Sequence, residues 1–168
     1  VQDPVVSNEP NVKLADIVHS STTSKKLTVV AFGDSLTAGY GVTLQESYPR
    51  ILEEKLHVLY PNLQVINMGV SGETTTAGLE RVSFVTAQKP DLVLLGLGAN
   101  DMLRASSPTI AKNNIRTMLV QFRKAGIPVV LLGMKSVASN GPAYQKEFDA
   151  IYPSLAQEYS VPLVPFFL

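Results

Sequence analysis

The most chemically informative feature of this 168-residue sequence is a serine set directly behind a β-branched run. Leu27-Thr28-Val29-Val30-Ala31-Phe32 leads into Gly33-Asp34-Ser35-Leu36. A hydroxyl becomes a useful nucleophile when a strand's carboxyl end presents it and a neighbouring base takes its proton. Two further polar, glycine-containing stretches follow strand-like runs: Asn67-Met68-Gly69-Val70-Ser71-Gly72-Glu73 and Gly98-Ala99-Asn100-Asp101. If a parallel sheet brings all three to one rim, the needs of acyl transfer are met in part. Ser35 offers the hydroxyl, and a helix starting there aims main-chain N–H groups at developing negative charge. Gly72 lets the backbone approach a ligand closely. Asn100 can donate its side-chain amide to the same oxyanion, and one such donor is worth about 10²–10³ in rate.

A serine nucleophile also needs a base, and the histidines are His19 and His57 alone. His57 falls beside the apolar stripe of a predicted helix, and His19 lies in a polar tail; neither is placed for the task. Asp34 reads as the group that holds the turn, and Ser71 lacks the closing glycine of a G-x-S-x-G elbow. Asp101 has no second carboxylate at ligand spacing, so it reads as a helix cap and no metal site is expected. Gly96-Leu97-Gly98 has Asp101 where a dinucleotide loop requires its third glycine, and no organic cofactor is expected. Met102 and Leu103, just after Asn100, are candidate substrate-binding residues; the competing reading packs them onto the next helix. The loop 136–144, with Asn140-Gly141-Pro142, is a candidate gate over the substrate.

These residues need a frame to hold them. Apolar runs predict strands at 27–32, 63–67, 92–97, 129–132 and 163–164. Between them, apolar residues at helical spacing predict helices over 48–58, 75–88, 108–124 and 143–159. Strands alternating with helices imply right-handed crossovers and a parallel sheet covered on both faces. Ligand sites in such sheets lie beyond the carboxyl ends of the strands.

Composition narrows the partners. Lys+Arg and Asp+Glu both number 14, so there is no basic bias toward nucleic acid. The hydrophobic fraction is 45% and the mean hydropathy +0.15, as for an ordered globule. No apolar run approaches the roughly 20 residues of a bilayer span, and the absence of cysteine excludes disulfides and thiolate sites. Residues 1–26 read as a polar tail or linker and 27–168 as one domain. The finish Val164-Pro165-Phe166-Phe167-Leu168 is apolar where domain termini are usually polar. It predicts a further C-terminal segment that covers it, supplied in the same chain or separately.

Gly33-Asp34-Ser35-Leu36, the Gly72 loop and Gly98-Ala99-Asn100-Asp101 resemble, in order and spacing, the first three blocks of the GDSL or SGNH hydrolases. The resemblance runs from about Leu27 to Leu168. It is closest to the bacterial lysophospholipase/thioesterase/arylesterase branch, through Asn100-Asp101-Met102-Leu103-Arg104 and Val161-Pro162-Leu163-Val164-Pro165-Phe166-Phe167. It implies a three-layer α/β/α sandwich on a five-stranded parallel sheet of order 2-1-3-4-5, flavodoxin-like. It further implies Ser35 as nucleophile and an oxyanion hole from the Ser35 N–H, the Gly72 N–H and the Asn100 side chain. Carboxylic esters or thioesters would be the substrates, with a periplasmic or secreted location. The family's final block, an Asp-x-x-His placed after the fifth strand, does not occur in the residues that follow Leu163-Val164 here. An inactive fragment or acyl-binding module of the same fold is therefore the second reading. A phosphoacceptor receiver domain ranks last, because only Asp34 follows the first strand and Pro165-Phe166 stands where a lysine is needed.

Overall fold

The structure, a computed structural model, describes residues 26–167. His19 and nearly all of the predicted tail lie outside the described residues. All five predicted strands form: β1 (Leu27–Gly33), β2 (Leu63–Gly69), β3 (Leu92–Gly96), β4 (Val129–Leu132) and β5 (Leu163–Val164). They pair in parallel in the order β2-β1-β3-β4-β5, as the resemblance implied.

Strand periodicity explains the layers. Successive side chains point to opposite faces, so Val30, Phe32, Val93, Leu95 and Leu131 enter one core. Val29, Leu94 and Leu132 enter the other. The larger core is closed by α3 (Thr75–Ala87), α5 (Pro108–Lys124), α6 (Pro142–Asp149) and α7 (Ile151–Tyr159). Across the sheet, α2 (Tyr48–His57) packs Tyr48, Leu52 and Leu56 on the smaller core. Two short helices, α1 (Ser35–Ala38) and α4 (Ala99–Leu103), sit at the ends of β1 and β3.

The single helix expected over 143–159 is two helices, separated at Ala150. Pro153 is the cause: it has no N–H for the carbonyl of Asp149, and its ring crowds that carbonyl. The candidate gate at 136–144 is also more ordered than a plain loop. It contains a 3₁₀ turn at Ala138–Asn140 and runs into α6. The Ser136 N–H donates to Asp149 Oδ1 at 2.7 Å, and Asn140 Nδ2 to the Met102 carbonyl at 2.9 Å.

The apolar finish folds back on the sheet. Phe167 meets Tyr48 edge-to-face at 4.8 Å, and its N–H donates to the Gly133 carbonyl at 2.8 Å. Beside it, an apolar groove of about 690 Å³ runs past Leu36, Tyr40, Ile51, Leu132 and Val164.

Register positions the site. Gly33 is level with Gly69 on one side and Gly96 on the other. The three strands thus end in one row of glycines, and the three polar stretches leave the sheet at the same height. A side chain on Gly69 would run into the backbone of Ala38, so the glycine lets α1 lie directly across the end of β2. Asn67 fastens this contact by donating Nδ2 to the Thr37 carbonyl at 2.8 Å.

Candidate active site

Ser35 is the first residue of α1. Its N–H therefore belongs to the set that a helix leaves without an intrahelical acceptor. Asp34 caps the helix: Oδ1 accepts the Leu36 N–H at 3.0 Å, which bears out its reading as the group holding the turn. The carboxyl is fully buried and its Oδ2 has no partner among the described residues. Burial raises its pKa above the usual carboxylate value. Hydrogen bonds from Leu36 and its own N–H oppose that shift, and the charges of Glu73 and Asp101 add to it.

Gly72 lies between β2 and α3 with φ +81, a conformation that costs an L side chain roughly 1–2 kcal/mol. Its carbonyl accepts from Arg104 Nη2 at 3.0 Å, and its N–H has no acceptor among the described residues. Glu73 follows, buried, and closes a turn through its N–H to the Val70 carbonyl at 3.2 Å. Ser71 is exposed in the same turn.

Asn100 sits in α4 and donates Nδ2 to the main-chain carbonyl of Glu73 at 2.9 Å. One amide N–H is thereby spent on orientation and the other stays available. Asp101 beside it is buried and faces α3. Its Oδ2 accepts the Thr75 N–H at 2.8 Å and its Oδ1 the Thr75 hydroxyl at 2.7 Å. Asp101 thus serves as a helix cap, the reading its lack of a carboxylate partner favoured, except that it caps a helix other than its own. No cluster of metal-ligating side chains occurs among the described residues.

The two candidate substrate-binding residues part company. Met102 is 7% exposed and belongs to the larger core, whereas Leu103 is 67% exposed. Helical geometry turns neighbouring residues to different faces, so the packing alternative holds for Met102 and leaves Leu103 open to solvent. Sequence reading missed the polar residues that hold the loops, Arg81, Glu73 and Thr75, and read Arg104 only as a neighbour of the acyl pocket. Of these, Glu73 was signalled only by its place next to Gly72.

His57 is far from this rim. Its Nε2 meets the Leu63 carbonyl at 2.7 Å, at the start of β2. Ser35 follows the opposite end of a parallel strand pair seven residues long, about 20 Å away.

A doubly wound parallel sheet whose first three strand ends carry a serine on a helix start, a glycine turn and an oriented asparagine is the architecture of an SGNH-type hydrolase. The sequence profile of the GDSL-like Lipase/Acylhydrolase family matches residues 31–168, and the chain belongs to that family. The arylesterase of Vibrio mimicus is 39% identical over 150 residues, covering 89% of this chain and 74% of its own. Thioesterase 1/protease 1/lysophospholipase L1 of Escherichia coli strain K12 is 36% identical over 142 residues, 84% of this chain and 67% of the relative. Among solved structures, AlinE4, an SGNH-hydrolase family esterase, superposes with a TM-score of 0.83 at 46% identity, covering 88% of this chain and 79% of AlinE4.

Proposed function

We propose that this protein is a serine esterase acting through an acyl-enzyme on Ser35. Ser35 Oγ attacks the carbonyl carbon of the ester and gives up its proton to a base. The oxyanion that forms is held by the N–H groups of Ser35 and Gly72 and by Asn100 Nδ2. Collapse expels the alcohol or thiol, which takes a proton, and water then attacks the acyl-serine to release the acid and restore the hydroxyl. Aryl esters, thioesters and lysophospholipids with short to medium acyl chains are the proposed substrates. The names of the Vibrio and Escherichia relatives support that range. Leu103, exposed beside Asn100, is the proposed acyl contact. The observation that carries the reading is the level row Gly33, Gly69 and Gly96, from which all three oxyanion donors depart.

The second reading, an acyl-binding module without turnover, draws on the position of His57, whose Nε2 meets the Leu63 carbonyl at the far end of β2. Losing the base of a serine hydrolase costs up to about 10⁶ in kcat. Intact mass and hydrolysis of a p-nitrophenyl ester separate the two. A polypeptide of the 18.1 kDa that these residues account for is expected to turn over negligibly and to resist phosphonate labelling at Ser35. A heavier natural protein is expected to hydrolyse the ester and to lose that activity in Ser35→Ala. Hydrolysis that survives Ser35→Ala overturns the esterase reading.

A further inference from the structure

Arg81, on α3, touches β1, β2 and the turn that carries Gly72, and reaches Asn100 through Glu73. Its Nε donates to Glu73 Oε1 at 2.6 Å and its Nη2 to Glu73 Oε2 at 2.5 Å, a two-pronged pair. Nη2 also donates to the Met68 carbonyl at 3.1 Å, at the end of β2. The guanidinium lies 5.0 Å from the ring centre of Phe32, on β1, three residues before Ser35. The Glu73 carboxylate is 4% exposed, so its place is set by protein and not by water. A planar fork against a carboxylate fixes direction as well as distance. What it fixes here is the residue whose main-chain carbonyl orients Asn100.

We infer that Arg81 is a positioning residue for the oxyanion hole, acting through Glu73 on the amide of Asn100 and on the Gly72 turn. The inference rests on the Ser35 reading. An Asn amide has two N–H groups in one plane. Holding the first on the Glu73 carbonyl aims the second, and it prevents the amide from turning its own oxygen toward a developing negative charge. Release of Glu73 loosens that aim and the turn that carries Gly72 together. Ser35 itself keeps its cap on Asp34. The loss therefore falls on stabilisation of the transition state and leaves substrate binding nearly untouched.

The test uses the natural protein with Arg81→Gln and Arg81→Lys, read by two measurements. The first is the pair of Asn100 Nδ2 protons in ¹H–¹⁵N NMR. In the parent, one is held by a carbonyl, exchanges slowly and is well separated in shift from the other. In Arg81→Gln the separation should collapse and the exchange quicken, with the β3 and β4 amides unchanged. The second is p-nitrophenyl ester hydrolysis, where kcat should fall about 10²-fold, as for a misplaced catalytic group, with KM steady and partial recovery in Arg81→Lys. If Arg81→Gln does not fold, Arg81→Lys carries both measurements, because it keeps the charge and loses the fork. An unchanged Asn100 pair overturns the inference, as does a rise in KM with kcat intact. In a preparation without turnover the Asn100 signals decide alone. Hydrolysis that persists in Ser35→Ala defeats the esterase reading, and the Asn100 signals still judge the positioning role.

Discussion

Asn100 Nδ2 donates to the Glu73 carbonyl at 2.9 Å, joining the third strand end to the second across 27 residues of sequence. This bond makes the asparagine a directed donor instead of a free amide on a short helix. It also means that removing the side chain affects two things together, the donor and the carbonyl it holds.

Asn100→Ala is expected to lower kcat by about 10²–10³, the usual loss for one oxyanion donor, with KM changed little. Steady-state kinetics on an aryl ester, in a preparation whose activity depends on Ser35, provide the check. A rise in KM at constant kcat would place Asn100 in ground-state binding instead.

Asp34 should impose a pH dependence on stability. Burial holds its carboxyl above the unfolded value near 3.8, so the folded protein binds the proton more tightly. The stability this contributes is complete below that unfolded value and is lost as pH rises through the raised folded value. Above that window the ionised carboxylate sits buried, with no partner for Oδ2 among the described residues. Asp34→Asn retains an oxygen for the Leu36 N–H and does not titrate. Its stability relative to the parent should therefore climb as pH is raised from below 3.8 and then level off. Urea melts of both proteins across that range measure the difference, and a constant offset would show that Asp34 carries no raised pKa.

Asp101→Ala should destabilise the fold by at least about 1.5–3 kcal/mol, since a buried charged acceptor of two hydrogen bonds is lost. Thr75 is fully buried, so its N–H cannot turn to water for compensation. Asp101→Asn keeps one acceptor oxygen and should fall between the two. Thermal or urea unfolding gives the values; a parent-like midpoint for Asp101→Ala would mean that water replaces the carboxylate.

Local pattern in the sequence was enough for the strands, most helices and the three polar blocks. Those signals are short-range: β-branched runs, apolar residues every third or fourth position, and glycine with a hydroxyl or amide at a strand's end. The strand-end positions of Ser35, Gly72 and Asn100 were legible in this way, as were Asp34 as the group holding the turn and Asp101 as a cap. Pro153 was a visible breaker as well, but a strong apolar stripe on both sides masked the division into α6 and α7.

Contacts between residues far apart in the chain were decided only by tertiary structure. The level row of glycines depends on register, which no single strand specifies by itself. The burial of Met102 beside the exposed Leu103 depends on which face of α4 meets the core. Asp101 reaches Thr75 across 26 residues, and Arg81 gathers Phe32, Met68 and Glu73 around one guanidinium. A single sequence shows which groups are available, because chemistry belongs to residue types. Which of them meet is set by the packing of the sheet and its helices, since distance along the chain carries no information about such encounters.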